Sequence, residues 1–507
     1  MAYQLKNRFN KPGSLTVYLP KHSIITENLT FSKLPLAAPV LKVDGGQLVF
    51  TFLNQEKIFS SQANWREDSY GKLWNYNLQY VDFLRQEDIT KETKLNLLYD
   101  LYNSLEKGAI DLEPYPVSLR AMNVIRFLHT LKEGDIKLQQ RVYGEINYLS
   151  KNLEYHLLGN HLLENGFAVL MAGYYFNQKH WIDKAEKLLE AELKEQILED
   201  GAHFELSPMY HQIILFRVLE ALDYLPRNSQ LHALLLAKGK KMVSWLKAMT
   251  FENGDIPHFN DSSDGIAFTS HELIHYAEKL GVKPDDVGKL NVSGYRLIRL
   301  GNYECAVDVA AIGPSYQPGH GHADALSFIL YYNGEPLLVE AGTSTYNDGP
   351  QRYLERSTRS HNVVDINGQN QSEVYGAFRV GRRAKVTIHE DGPTVLSASH
   401  DGYRSQFGIA HFRKFHFEAY KFTIQDTLKG DSAGQALASF HLHPHVSVRL
   451  QDDQVVLNGK VAIRFDGASQ VNQEIYQHAV GFNKTVPATV LRVSFSTSLH
   501  TTIDFKI

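Results

Sequence analysis

A single cysteine, Cys305, stands among 507 residues, so no disulfide can form within the chain and a small disulfide-stapled scaffold is excluded. No run of about 18 uncharged apolar residues occurs, which removes a transmembrane helix from the expectations. Neither sign of charge dominates. The 52 Lys and Arg against 56 Asp and Glu leave a formal net charge of −4, too little to draw the whole chain to nucleic acid or to a membrane. An anionic partner must then be met by a local basic patch. The opening stretch MAYQLKNRFNKPGS lacks the apolar segment of a secretory signal. The compartment therefore stays open between the cytoplasm and, with a leader removed, the periplasm or exterior.

What is present is a large globular composition, 43% hydrophobic and 21% charged, at a length that calls for more than one domain. The 27 Tyr and 26 Phe suit strands and cores, and equally a cleft that stacks on sugar rings. The patterning changes near residue 290. Before it, apolar residues recur at helical spacing in 89–108, 180–198 and 229–249, with Gly, Asn and Pro turns between. After it, alternation of period two takes over, in 295–313, 326–342, 382–403, 412–428, 446–467 and 489–507, broken by Asn-Gly, Asp-Gly and Asp-Asp turns. Many strands without intervening helices imply antiparallel sheets stacked as a sandwich. VLKVDGGQLVFTF (40–52) reads as a lone hairpin ahead of the helices. The expected organisation is α+β and multidomain: an extension over 1–84, a helical domain over 85–290 and a β-sandwich over 291–507.

Four stretches concentrate chemistry. In GNHLLENG (159–166), Asn160, His161 and Glu164 can share one side of a helix that continues as the apolar GFAVLMAGYYF. A polar cluster at the mouth of an interior helix faces a cavity or an interface, although Asn160 could equally serve as a helix cap. HFELSPMYH (203–211) places Glu205, Tyr210 and His211 at the start of a helix opened by Pro208. FENGDIPHFNDSSDG (251–265) carries Asp255, His258, Asn260, Asp261 and Asp264, and reads as a loop made acidic for solubility. GHGHADALSF (319–328) puts His320, His322 and Asp324 on one face of an extended segment, with Glu340 and His361 downstream. That set suits a zinc shell, and it suits core histidines bonded to backbone. HLHPH (441–445) has no matching carboxylates and reads as packing. The basic strip RVGRRAK (379–385) reads either as an anion contact or as a blunted edge strand.

Taken together, KLWNYNLQY, EPYPVSLRAMNVIRF, GNHLLENGFAVLMAGYYF, ELSPMYH, GHGHADALSFILYYNGEPLLVEAGTSTY and RSTRSHNVV resemble the heparinase II/III family of bacterial polysaccharide lyases over most of residues 65–370. The resemblance implies an incomplete α/α toroid followed by an antiparallel β-sandwich, and β-elimination at a uronic acid inside a polysaccharide. In that reaction the uronate carboxylate is neutralised, a base takes the C5 proton and an acid protonates the departing O4. By resemblance Asn160 neutralises the carboxylate with His161 beside it and Glu164 as helper, and Tyr210 and His320 are the acid and base. His322, Glu340 and His361 match the ligands of one structural zinc, with Glu340 where the family pattern has Asp. No organic cofactor is expected. Candidate substrate contacts are Trp74, Tyr76, Arg120, Asn123, Tyr346, Arg352 and Arg356, the arginines because their forks suit carboxylate or sulfate.

The expected partner is an acidic polysaccharide or oligosaccharide, with neither nucleic acid nor a membrane span; the oligomeric state is left open. Two other classes compete. A glycoside hydrolase on the same architecture would need two carboxylates flanking one bond, from Glu164, Glu205 and Asp261. A non-catalytic glycan-binding protein of a polysaccharide assembly cluster would share the fold without the chemistry.

Overall fold

A computed structural model describes residues 14–21, 24–27, 29–32, 38–131, 134–285, 290–430, 435–451 and 453–505. Residues 1–13 of the expected extension, and Asp452 of the expected Asp-Asp turn, lie outside them. The chain divides into two compact units, but not at one boundary near 290. Met1–Ile197, Ile213–Lys240 and Tyr276–Val282 form the first, and Leu198–Gln212, Lys241–His275 and Lys283–Ile507 the second. Residues 198–212, 241–275 and 283–290 of the expected helical domain thus cluster with the strands. Apolar burial is the reason. Ala202, Leu206, Trp245, Met249, Phe251 and Phe259 share a core cluster with Tyr295, Ala306, Ala310, Ile329 and Tyr331 of the strand region.

The first unit opens with a three-stranded antiparallel sheet, Leu41–Asp44, Gln47–Phe52 and Gln55–Phe59, one strand more than the expected hairpin. The helices Lys72–Tyr80, Lys91–Glu106, Pro114–His129, Ile136–Leu149, Gly159–Tyr175 and Lys179–Gln196 follow. Their starts are written locally. The Thr90 side chain accepts from the Thr93 N–H and that of Asp135 from the Leu138 N–H, and Pro114 sits where a helix tolerates proline. Gly159–Tyr175 is buried on nearly every side, as its apolar run implies. It lies so close to Lys179–Gln196 that a Cβ on Gly166 would come within 2.7 Å of Leu188, and one on Gly173 within 2.9 Å of Ile182. Among the described residues no helix is long and apolar enough to cross a membrane.

The second unit holds the sheets. Tyr295–Leu300, Tyr303–Asp308, Phe328–Tyr332 and Glu335–Leu338 pair in sequence as one antiparallel sheet. A larger sheet runs Val386–Asp391, Val395–His400, Ala410–Glu418, Lys421–Lys429, Lys484–Asp504, Val461–Gly481, Gln454–Leu457 and Val448–Gln451, with Ala436–His441 and Val364–Ile366 attached beside it. Their inner faces meet in one apolar core where Phe328 of the small sheet touches Phe415, Phe422 and Phe440 of the large one. Truncating Phe415, which is fully buried there, would cost about 3–5 kcal/mol. A short hairpin, Val374–Tyr375 with Arg379–Val380, stands apart from both sheets.

Candidate active site

Tyr210 lies in the first turn of helix Pro208–Tyr224, in the part that belongs to the second unit. Ser207 starts that helix: its hydroxyl accepts from the Tyr210 N–H at 3.2 Å and donates to the Asp261 carbonyl at 2.6 Å. The Tyr210 and His320 rings lie 4.1 Å apart, centroid to centroid, and the Tyr210 and Tyr346 hydroxyls are 3.3 Å apart. Burial pushes the Tyr210 phenol well above the usual tyrosine range, and that of Tyr346 likewise. Both stay protonated at neutral pH.

Asp261, fully buried, is the hub beneath them. One carboxylate oxygen accepts from His320 Nδ1 at 2.8 Å and the other from His322 Nε2 at 2.8 Å. The Arg352 guanidinium binds both oxygens, Nη1 to Oδ1 and Nη2 to Oδ2, the latter at 2.6 Å. Burial pushes Asp261 up, but the Arg352 charge and the two imidazole hydrogen bonds outweigh it and hold the carboxyl well below the usual range. With Nδ1–H given to Asp261, Nε2 is the His320 ring atom left to exchange a proton. The chain also grips His320 through backbone, since the Asp261 N–H donates to the His320 carbonyl at 3.1 Å.

The backbone around this hub is strained and over-determined. Leu206, Asn260 and Leu326 have φ of +56°, +56° and +70°. Asn260 Nδ2 donates to the Leu206 carbonyl at 3.0 Å, the Tyr295 hydroxyl donates to the same carbonyl at 2.5 Å, and Asn260 Oδ1 accepts from the His322 N–H at 2.8 Å. Ser207 is not among the sequence-derived candidates, and Asn260 and Asp261 appear there only in a loop read as solvated, Asp261 also as a possible hydrolase carboxylate. The loop 251–265 reads as solvated because its acids are dense. The signal against that reading is the interleaved Ile256 and Phe259, whose burial carries Asn260 and Asp261 inside.

In the first unit, Gly159 rather than Asn160 begins helix Gly159–Tyr175, and the preceding Leu158 is held at φ +58°. Asn160 is buried in the first turn. His161 remains one-third exposed, with Nδ1 at 3.2 Å from Glu154 Oε1 and its ring 4.3 Å from that of Tyr115. Glu164 is corrected as a substrate helper: it is fully buried and ion-paired with Arg217 at 2.7 Å.

Several other expected contacts are corrected in the same way, because the helix faces and ends that carry them point into protein. Trp74 is a core residue whose Nε1–H donates to the Gln55 carbonyl, Arg120 is sealed in an ion pair with Glu145, and Asn123 donates to the Tyr80 carbonyl and Asp82. Arg352 is bound to Asp261, and Arg356, fully buried, donates to the Gly321 and Gly376 carbonyls. Tyr76 remains half-exposed with its hydroxyl donating to Glu113, and Tyr346 remains at the Tyr210 hydroxyl.

The expected zinc ligands do not form a shell as they stand. Glu340 is engaged by His361 Nδ1 and by the Ser327 hydroxyl, and among the described residues no group of three His, Cys, Asp or Glu is placed to hold a metal. Burial lowers the His361 pKa, but the Glu340 carboxylate outweighs it and raises it. Burial pushes His322 down to about 3. Its Nδ1, Asp324 Oδ2 and His361 Nε2 are buried without a hydrogen-bond partner among the described residues.

Comparison with known proteins agrees with this architecture. Residues 125–285 match the heparinase II/III N-terminus and residues 282–506 the heparinase II/III-like C-terminal domain. A heparin-sulfate lyase of Bacteroides stercoris is 23% identical over 420 residues, covering 74% of this chain and 60% of that protein. One from Pedobacter heparinus is 26% identical over 260 residues, covering 45% and 38%. The chain therefore spans less than two thirds of the length of these curated relatives. Among solved structures, heparinase III superposes with a TM-score of 0.68 at 18% identity, over 89% of this chain and 80% of that one. A heparan sulfate lyase HepC mutant from Pedobacter heparinus gives 0.64 at 16% identity, over 100% and 87%. At that identity the likeness shows a shared fold, helices first and antiparallel sheets after. With family matches running without a break from residue 125 to residue 506, the chain belongs to the heparinase II/III-like family.

Proposed function

We propose that this chain is a polysaccharide lyase that cleaves a uronic-acid-containing polysaccharide by β-elimination. The observation that carries the reading is the contact of a protonated phenol, Tyr210, with an imidazole, His320, whose tautomer Asp261 fixes. His320 Nε2 takes the C5 proton, the C4=C5 double bond forms as the C4–O4 bond breaks, and the Tyr210 hydroxyl gives its proton to O4. His320 then gives up the proton and Tyr210 regains one from solvent before the next turnover. The resemblance alone assigns to Asn160 the amide that neutralises the uronate carboxylate, with His161 beside it. The names of the relatives favour a heparan-type glycosaminoglycan as substrate.

A hydrolase reading loses two of its three carboxylates and with them the pair it needs: Glu164 is paired with Arg217 and Asp261 with Arg352 and two histidines, which leaves Glu205 alone. The test is a panel of heparan sulfate, hyaluronan, chondroitin and alginate, followed by the ultraviolet absorbance of the unsaturated uronate. Wild type is expected to produce it on at least one polymer, and Tyr210→Phe and His320→Ala to lose about 10²- to 10⁴-fold in kcat. Chain shortening without that absorbance, or full activity in Tyr210→Phe, would refute the reading.

A further inference from the structure

Arg352 and Arg356 present two donors to one small element that no role so far explains. Arg352 Nε donates to the Ala377 carbonyl at 2.9 Å, and Arg356 Nη1 to the Gly376 carbonyl at 3.0 Å. Both arginines are fully buried, and Arg352 is itself bound to Asp261. They fix the turn of the hairpin Val374–Tyr375/Arg379–Val380 against the segment that carries His320. What this rigid turn presents is an exposed aromatic side chain. Phe378 is 43% exposed, although its ring lies 6.0 Å from that of His320 and 5.3 Å from that of Tyr346. Its Cβ and carbonyl pack against Gly319, where a glycine Cβ would meet them at 3.7 Å. Tyr375 on the same hairpin is 48% exposed.

The next residue, Arg379, is exposed, and among the described residues no carboxylate or carbonyl holds its guanidinium. The other two arginines of the basic strip are spent on backbone carbonyls. Arg382 donates to the Gln371 and Gly402 carbonyls and Arg383 to the Pro314 carbonyl. The strip's arginines therefore divide: Arg382 and Arg383 hold backbone together, and Arg379 follows directly on Phe378, whose ring lies 6.0 Å from that of His320. Phe378 and Tyr375 are thus two exposed aromatic side chains on one hairpin, the first held beside the His320 and Tyr346 rings. A pyranose has an apolar C–H face for the ring, and an acidic saccharide has the anion for the guanidinium.

Resting on the lyase reading, we propose that the hairpin 374–380 seats the substrate: Phe378 stacks on a sugar ring beside the cleaved linkage, and Arg379 binds a carboxylate or sulfate of the same chain. The role is one of binding, so its signature is a split between KM and kcat. On heparan sulfate, Phe378→Ala is expected to raise KM about tenfold with kcat changed less than about twofold, and Phe378→Trp to stay near wild type. Phe378→Leu keeps the packing on Gly319 but loses the flat face, and is expected to behave like the Ala variant. Arg379→Gln is expected to raise KM about fivefold and to reduce the salt dependence of binding. A loss on heparan sulfate but not on hyaluronan, which carries carboxylates only, would assign the anion as sulfate; a loss on both would assign it as carboxylate. Calorimetric binding of heparan sulfate oligosaccharides to Tyr210→Phe, with and without Phe378→Ala, separates seating from chemistry. If wild type turns over no polymer but binding still falls in the Phe378 variant, the lyase reading fails and the seat stands. Unchanged KM and affinity in Phe378→Ala at an unchanged Tm, or a Leu variant equal to wild type, would overturn the proposal, as would the absence of any binding of heparan sulfate or hyaluronan to wild type.

Discussion

Each unit buries a carboxylate against an arginine, and the two behave in opposite ways. In the first unit Glu145 pairs with Arg120 at 2.6 Å and accepts from the Tyr102 hydroxyl at 2.8 Å, with both charged side chains fully buried. In the second, Asp261 pairs with Arg352 and accepts from two imidazoles as well. Burial raises the Glu145 carboxyl in spite of Arg120, whereas at Asp261 the same burial is overcome and the carboxyl lies well below its usual range. The difference is the number and charge of the donors: one arginine and a phenol do not offset desolvation, but a two-pronged arginine and two N–H groups do. Glu145 ties helices together. Asp261 holds the His320 ring in one tautomer and needs to be an anion to do so.

The largest effect should come from Asp261→Asn. It leaves Arg352 buried without its counter-charge, expected to cost about 3–5 kcal/mol of stability by chemical denaturation. It should also lower kcat at least about a hundredfold in the protein that stays folded, because the Nδ1–H of His320 loses its anion. A variant that keeps wild-type kcat would remove Asp261 from the chemistry and make it the equal of Glu145.

A smaller effect is expected in the acid limb of Tm against pH. Asp261 has a depressed folded pKa, so its contribution is present above the ordinary aspartate range and is lost as pH falls toward its folded value. Glu145 has a raised folded pKa. Its contribution is full below the ordinary glutamate range and is lost as pH rises toward the folded value, so it opposes acid destabilisation. Between about pH 5 and pH 3, Asp261→Asn should flatten the fall in Tm and Glu145→Gln should steepen it. The reverse ordering would mean that the two carboxylates have exchanged roles.

The smallest effect sharpens the second unit alone. With Glu340 tied to His361 and Ser327, dialysis against a chelator is expected to leave Tm and kcat unchanged. A fall of several degrees, restored by zinc, would return His322, Glu340 and His361 to the role of ligands.

Much was legible in the residues. Helices at 91–106, 179–196 and 230–249 lie within two residues of the periodicity that announces them, because each needs one apolar face and has a written start or stop. Tyr210 and His320 were legible because motif order carries them. Asp261 was not: it sits in a loop that composition alone makes polar, and its burial depends on Phe259 docking on Tyr295, 36 residues onward, with rings 5.2 Å apart. The arginines misled for a related reason. A guanidinium that suits a sulfate suits a buried carboxylate or a carbonyl equally well, and spacing along the chain does not say which it meets.

By itself the order of residues determined the element types, the antiparallel pairing of the later strands and the candidate acid and base, since these follow from local periodicity, caps and short turns. Only the tertiary structure decided which charged groups are spent on one another and which are left for a ligand. Arg120, Arg352 and Arg356 went inward and Arg379 stayed in water. Desolvation drives that choice: a buried charge must find its partner within the fold, and the partner arrives from a segment tens of residues away.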